Sequence, residues 1–98
     1  MMSGSERIIQ AIKQIGYGQV TSYGQIAEMA GIPRGARLVA RILHACSEKH
    51  DLPWWRIVSS TGEIALKDQA GRKLQRELLI KEGVKFKMKW IVEGLGKK

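Results

Sequence analysis

Cys46 carries the only thiol of the chain. A thiol becomes a competent nucleophile only as the thiolate, which needs a neighbouring base or cation. His44 is close in sequence, but two residues away on a helix it faces another side. A small core or hinge-region residue is the competing role for Cys46. The stronger pattern is basic. Arg34, Arg37, Arg41 and His44 are spaced 3, 4 and 3, which sets them along one face of a helix. Guanidinium groups in such a row contact phosphates, with counterion release making the binding strong and salt-dependent. No acidic residue stands at i±4 from Arg34, Arg37 or Arg41 to neutralise them, as one would on a merely solvated face. Gly35, Ala36 and Ala40 let that helix press close to a groove, and no Asn or Gln is present to read adenine. This favours recognition of shape and backbone in the minor groove over a sequence-specific repressor.

The elements that must position this row are readable. Ser3-x-x-Glu6 is a capping box, followed by Ile8, Ile9, Ile12 and Ile15 at helical spacing, with Gly16 and Gly18 ending the helix. Ser22-x-x-Gln25 opens a second, short helix with Ile26, Ala27, Met29 and Ala30 inward. Gly31 is its C-cap and Pro33 prevents continuation. The basic helix is expected from about Gly35 to Ala45, then a polar loop from Ser47 to Asp51. Two short helices joined by a Gly-Ile-Pro turn are the signature of a helix-turn-helix. Arg56-Ile57-Val58 and Glu63-Ile64-Ala65 flank Ser59-Ser60-Thr61-Gly62 and suggest a hairpin or wing. A last helix, about Arg72 to Lys81, carries Leu74, Leu78 and Leu79. From Val84 an edge strand and a frayed, lysine-rich end are expected.

Ninety-eight residues make one domain, and 44% apolar content supports a modest core. The fold class expected is mainly α with a small β element, a winged helix-turn-helix-like single domain over 1–98 with a basic tail from about 87 to 98. A net charge of +8 names nucleic acid as the leading partner and acidic lipid as the second. No apolar run approaches the roughly 20 residues of a membrane helix, so no membrane partner is expected. The N-terminus lacks the pattern of a secretory signal. A single cysteine permits no intramolecular disulfide, which suits a reducing cytoplasm.

Three segments together resemble the C-terminal DNA-binding domain of the O6-alkylguanine-DNA alkyltransferases. Val20-Thr21-Ser22-Tyr23-Gly24-Gln25-Ile26-Ala27 is similar to that family's Val-x-Ser-Tyr-x-x-Leu-Ala. Arg37-Leu38-Val39-Ala40-Arg41-Ile42-Leu43 is similar to its Arg-Ala-Val-Gly-x-Ala-Met recognition helix. Pro53-Trp54-Trp55-Arg56-Ile57-Val58-Ser59-Ser60-Thr61-Gly62 is similar to Pro-Cys-His-Arg-Val-Val-x-Ser-x-Gly, and Glu82-Gly83 matches a late Glu-Gly. The intervals agree, 14 residues from Tyr23 to Arg37 and 17 from Arg37 to Trp54. The likeness spans about residues 5 to 86. Trp54 stands where those enzymes carry the reactive cysteine, which is the mark of the alkyltransferase-like proteins, similar in fold but transferring no alkyl group. Trp55 replaces the proton-relay histidine, so Glu82 has no imidazole to orient and an ion pair with an Arg or Lys is its expected role. Cys46 stands where the enzymes have an asparagine hinge.

The resemblance implies a non-enzymatic binder of duplex DNA that flips O6-alkylguanine into a pocket. Arg37 would be the finger filling the vacated stack, and Tyr23 would crowd the phosphate beside the flipped nucleotide. Trp54 would wall the pocket, the Ile57 carbonyl would accept from the guanine amino group, and Lys67 would face the base from the far wall. Arg34, Arg41 and Ser22 would touch the DNA backbone. No cofactor and no metal are expected. The partners implied are double-stranded DNA containing O6-alkylguanine and, through the family, nucleotide excision repair proteins, with the chain acting as a monomer. Two rivals stay open: a divergent alkyltransferase using Cys46, and a winged-helix transcription regulator.

Overall fold

Both capping boxes form. Ser3 and Glu6 cap helix α1, Gly4–Lys13, reciprocally at 3.2 and 2.8 Å. Ser22 and Gln25 do the same for α2, Tyr23–Met29, at 3.1 and 3.3 Å. Each box satisfies amide groups that a helix start leaves unpaired. The computed structural model describes residues 2–93, the side chains of 47–49 excepted. The last residues of the expected basic tail, 94–98, lie outside the described residues. The order is α1, β1 (Thr21–Ser22), α2, α3 (Ala36–His50), a 3₁₀ turn at Trp54–Arg56, β2 (Ile57–Val58), α4 (Gln69–Lys81), β3 (Phe86–Met88) and β4 (Ile91–Val92). The mainly helical fold with a small β element is as expected. Among the described residues no helix is long and apolar enough to cross a membrane.

The turn between α2 and α3 depends on backbone shape. Gly31 has φ +75° and Arg34 has φ 65°, the left-handed region that glycine enters freely and arginine does not. A Cβ on Gly35 would stand 2.8 Å from both Ile32 Cγ2 and the Ile32 carbonyl, and 3.3 Å from Ala27 Cβ. That contact brings α3 down onto α2.

Two core clusters result. Ile8, Ile12, Ile26, Val39, Ile42, Leu52 and Ile57 form one, among α1, α2 and α3. Val58, Ile64, Leu79 and Val92 form the other, between α4 and the C-terminal hairpin. β2 lies between them. Its neighbours Ile57 and Val58 point to opposite sides, as strand residues must, and each enters a different cluster. The tryptophans are divided likewise, Trp54 packing on the first cluster and Trp55 on the second.

Several boundaries differ from expectation. α3 runs on to His50, through the segment expected as a loop, and stops where Asp51 takes φ 54°. Between Gly35 and Pro53 the sequence offers no glycine or proline, and polarity alone does not end a helix. Cys46 is therefore inside a helix, not at a hinge. α4 starts at Gln69, earlier than Arg72, because Asp68 caps it through the Gly71 amide at 2.8 Å. Met29 is 50% exposed; Ile26, Ala27 and Ala30 form the inward side and Met29 falls on its flank. Leu74 is 48% exposed and Gln75 takes the buried place beside Leu79.

The wing is also built differently. Ile57–Val58 does not pair with Glu63–Ala65. It pairs in parallel with Thr21–Ser22, in register Thr21 to Ile57, because both of its side chains are required inside. Glu63 bridges instead to Ile91, and Ile64 N donates to the Trp90 carbonyl at 2.9 Å. A turn closed by Ser59 N to the Glu63 carbonyl (2.9 Å) remains. Behind it, β3 and β4 form an antiparallel hairpin where a single edge strand was expected.

Candidate functional site

Trp54 enters the site on a short 3₁₀ turn after Pro53, and its ring meets that of Trp55 edge-on, centroids 6.0 Å apart at 89°. Beside Trp54 opens a cleft of about 510 Å³ lined by Tyr23, Ala40, Leu43, His44, Trp54, Ala65, Leu66 and Gln75. That volume is in the range of small-molecule sites. Its walls come from the first residue of α2, one side of α3, the segment before α4, and α4 itself. Burial raises the Tyr23 phenol above its ordinary pKa, so it stays neutral and able to donate.

The turn is anchored from two directions. Gln75, only 2% exposed, donates to the carbonyls of Trp55 (3.1 Å) and Ile57 (3.0 Å). Glu82, at the end of α4, ties the other side. Its Oε2 accepts from the Trp55 indole N–H and from Arg56 Nη2, each at 2.8 Å, and its Oε1 accepts from the Gly18 amide at 2.8 Å and Arg56 Nε at 3.0 Å. Arg56 also donates to the Ile15 carbonyl at 2.9 Å. The hydrogen bond from Arg56, helped by those from Gly18 and Trp55, holds the Glu82 carboxyl at about 2 against the cost of burial. The expected ion pair is present. The Trp55 indole N–H also occupies this carboxylate.

The structure brings Tyr23 and Trp54 together in the cleft. Arg37 and Arg41 are exposed along α3, on the same helix stripe as Ala40 and His44 of the cleft wall, whereas Arg34 is exposed in the turn before α3, its left-handed backbone taking it off the helix face expected for it. Lys67 is exposed, next in sequence to the lining residue Leu66, and is not itself part of the lining. The Ile57 carbonyl is engaged by Gln75. Ser22 is buried, its hydroxyl accepting the α2 cap bond. Cys46 packs against the first core cluster and is not among the cleft residues. Among the described residues no cluster of His, Cys, Asp or Glu could hold a metal.

Sequence reasoning missed Ala40, Leu43, His44, Ala65, Leu66 and Gln75 as cleft residues. His44 was legible, since it continues the arginine row by one turn. Gln75 also left a signal: it precedes Leu79 by four residues, a polar group on the buried side of a helix.

Residues 4–84 match the family described as 6-O-methylguanine DNA methyltransferase, DNA binding domain. The chain belongs to that family. Within it, the likeness is to the alkyltransferase-like proteins. A DNA base-flipping protein of Vibrio parahaemolyticus is 45% identical over 71 residues, 72% of this chain and 68% of that protein. The DNA base-flipping protein of Escherichia coli is 40% identical over 79 residues, 81% of this chain and 60% of that protein. Alkyltransferase-like protein 1 of Schizosaccharomyces pombe is 35% identical over 81 residues, 82% of this chain and 75% of that protein. The crystal structure of that yeast protein with damaged DNA containing O6-carboxymethylguanine superposes with a TM-score of 0.76 at 33% identity, covering 87% of this chain and 82% of that one. The fold of this family member is thus that of a DNA-binding domain.

Proposed function

We propose that this chain recognises alkylated DNA without repairing it. It binds duplex DNA through the minor groove, turns O6-alkylguanine out of the stack into the cleft beside Trp54, and holds it there uncovalently. The observation that carries this reading is the cleft itself: Tyr23 and Trp54 share it, and an indole stands where the family's enzymes have a thiol. An indole has no proton to lose near neutral pH and no comparable nucleophile. Its face can pack on an extruded base, worth about 1–3 kcal/mol, which offsets much of the few kcal/mol that unstacking costs. The relatives named for base flipping, and the yeast protein solved with O6-carboxymethylguanine DNA, support the same reading.

Arg37, in the first turn of α3, fills the vacated stack, and Arg34 and Arg41 hold the flanking backbone. The neutral Tyr23 hydroxyl approaches the phosphate beside the target without charge repulsion. Lys67 faces the base from beyond Leu66. A complex that cannot turn over marks the lesion, and nucleotide excision repair proteins are the partners that would read it. The setting is the cytoplasm and the acting unit a monomer.

The test is a titration of matched duplexes with and without O6-methylguanine at one salt concentration. The parent binds the lesion duplex more tightly. Arg37→Ala loses roughly tenfold of that preference, about 1.4 kcal/mol, and Tyr23→Ala loses part of it. Equal affinity of the parent for both duplexes overturns the proposal.

A further inference from the structure

A second cleft, about 280 Å³, lies on another side of α4, lined by Gln69, Lys73, Arg76, Glu77, Lys89 and Trp90. Gln69, Lys73, Arg76 and Glu77 recur at helical spacing and so share one face, whereas Gln75 in the first cleft lies on a different one. We infer that this cleft is a second binding site for nucleic acid, gripping a stretch of phosphodiester backbone away from the flipped base. The inference rests on the proposed reading of this protein as a DNA binder.

The cleft has three cations against one carboxylate. Arg76 is fixed in place: its Nε donates to the Lys89 carbonyl at 2.7 Å, and its guanidinium carbon stands 5.4 Å from the Phe86 ring centroid. Among the described residues no hydrogen bond takes up its terminal nitrogens, which present the fork that binds phosphate in two-point fashion. Trp90 is half-buried, with the Arg72 guanidinium 4.6 Å and the Lys89 ammonium 5.4 Å from its ring centroid. Arg72 is not a lining residue, but its guanidinium over the Trp90 ring adds a further positive charge behind the cleft wall. Lys87 in β3, and Lys85 and Lys89 on either side of that strand, are all exposed. That extends the basic surface well past the cleft. A small anion would use one point of it, whereas a polymer with regularly repeating charges engages the length. Basic side chains interleaved with aromatic rings are the composition that nucleic-acid grooves use.

The experiment measures binding of an undamaged and an O6-methylguanine duplex, each about 30 base pairs, over a series of salt concentrations. The proteins are the parent, Lys73→Glu/Lys89→Glu, Glu77→Gln and Arg37→Ala. Both lysines are exposed and make no hydrogen bond that the fold needs, and circular dichroism checks that each variant is folded. The double variant is expected to reduce the slope of log K against log salt by about two, at about 0.9 per phosphate lost, equally on both duplexes. Its ratio of lesion to undamaged affinity stays that of the parent. Glu77→Gln binds both duplexes more tightly. Arg37→Ala does the reverse of the double variant, changing the ratio. A slope unchanged in the double variant overturns the second site. So does an unchanged slope together with lost binding of polyglutamate, which would assign the cleft to an acidic protein. If the parent shows no lesion preference but the double variant still lowers the slope, the proposed function fails and the second site stands.

Discussion

Trp54 and Trp55 do different work although they adjoin. Trp54 walls the cleft, and Trp55 gives its indole N–H to Glu82 on the far side of the same turn. Under the proposed function Trp55 matters as much as Trp54. Trp54→Cys would place a thiol beside the cleft, yet the residue after it still could not take a proton, and Glu82 would still be held by Trp55 and Arg56. The variant is therefore expected to acquire radiolabel from O6-methyl-labelled guanine DNA far more slowly than a methyltransferase of the family. Transfer at an ordinary family rate would show that the relay is dispensable here. Cys46 packs against the first core cluster from within α3 and does not line the cleft.

At the scale of elements, the site depends on how α2, α3 and α4 are set against one 3₁₀ turn. Gly35 controls the first contact. Gly35→Ala puts a methyl group 2.8 Å from Ile32, so stability should fall by about 1–3 kcal/mol, the range for overpacking. An unchanged midpoint in urea would mean that the α2–α3 turn yields freely. Gln75 controls the contact of α4 with the turn. Gln75→Leu keeps the volume but leaves the carbonyls of Trp55 and Ile57 without its amide. A loss of about 1–3 kcal/mol follows from the unpaired buried groups. Because the same turn carries Trp54, lesion preference should weaken along with stability. Preference kept intact in a destabilised protein would separate the anchor from the recognition site.

At the scale of the molecule, Glu82 joins three distant parts of the chain: the Gly18 loop after α1, the Trp55–Arg56 turn and the end of α4. Its carboxyl is held at about 2, below its ordinary value near 4.5. The folded pKa is depressed, so the stabilisation is fully present above pH 4.5 and is lost as pH falls toward 2. The amount is on the order of 3 kcal/mol. Thermal unfolding of the parent should show a falling Tm across that window. Glu82→Gln should be less stable at neutral pH and lack this part of the acid slope. Parallel pH profiles for the two proteins would contradict the assignment.

The sequence by itself determined the local decisions. Ser3, Ser22 and their partners three residues on set the two helix starts, and Gly31 with Pro33 set the turn. Arg37 and Arg41 fell on one face of α3, and the order and intervals around Tyr23, Arg37 and Trp54 carried the family likeness. All of these act within a few residues or along one helix face, where chain geometry leaves little choice. Only the tertiary structure decided what depends on distant neighbours. Ile57–Val58 paired with Thr21–Ser22, not across the adjacent turn, since both side chains had to be buried at once. The polar segment after Cys46 stayed helical for want of a residue to stop it. Gln75 went inside because two backbone carbonyls were waiting there. Glu82 found an indole and a guanidinium from 27 and 26 residues away. Burial and hydrogen bonding are settled by which groups meet, and local sequence does not contain that meeting.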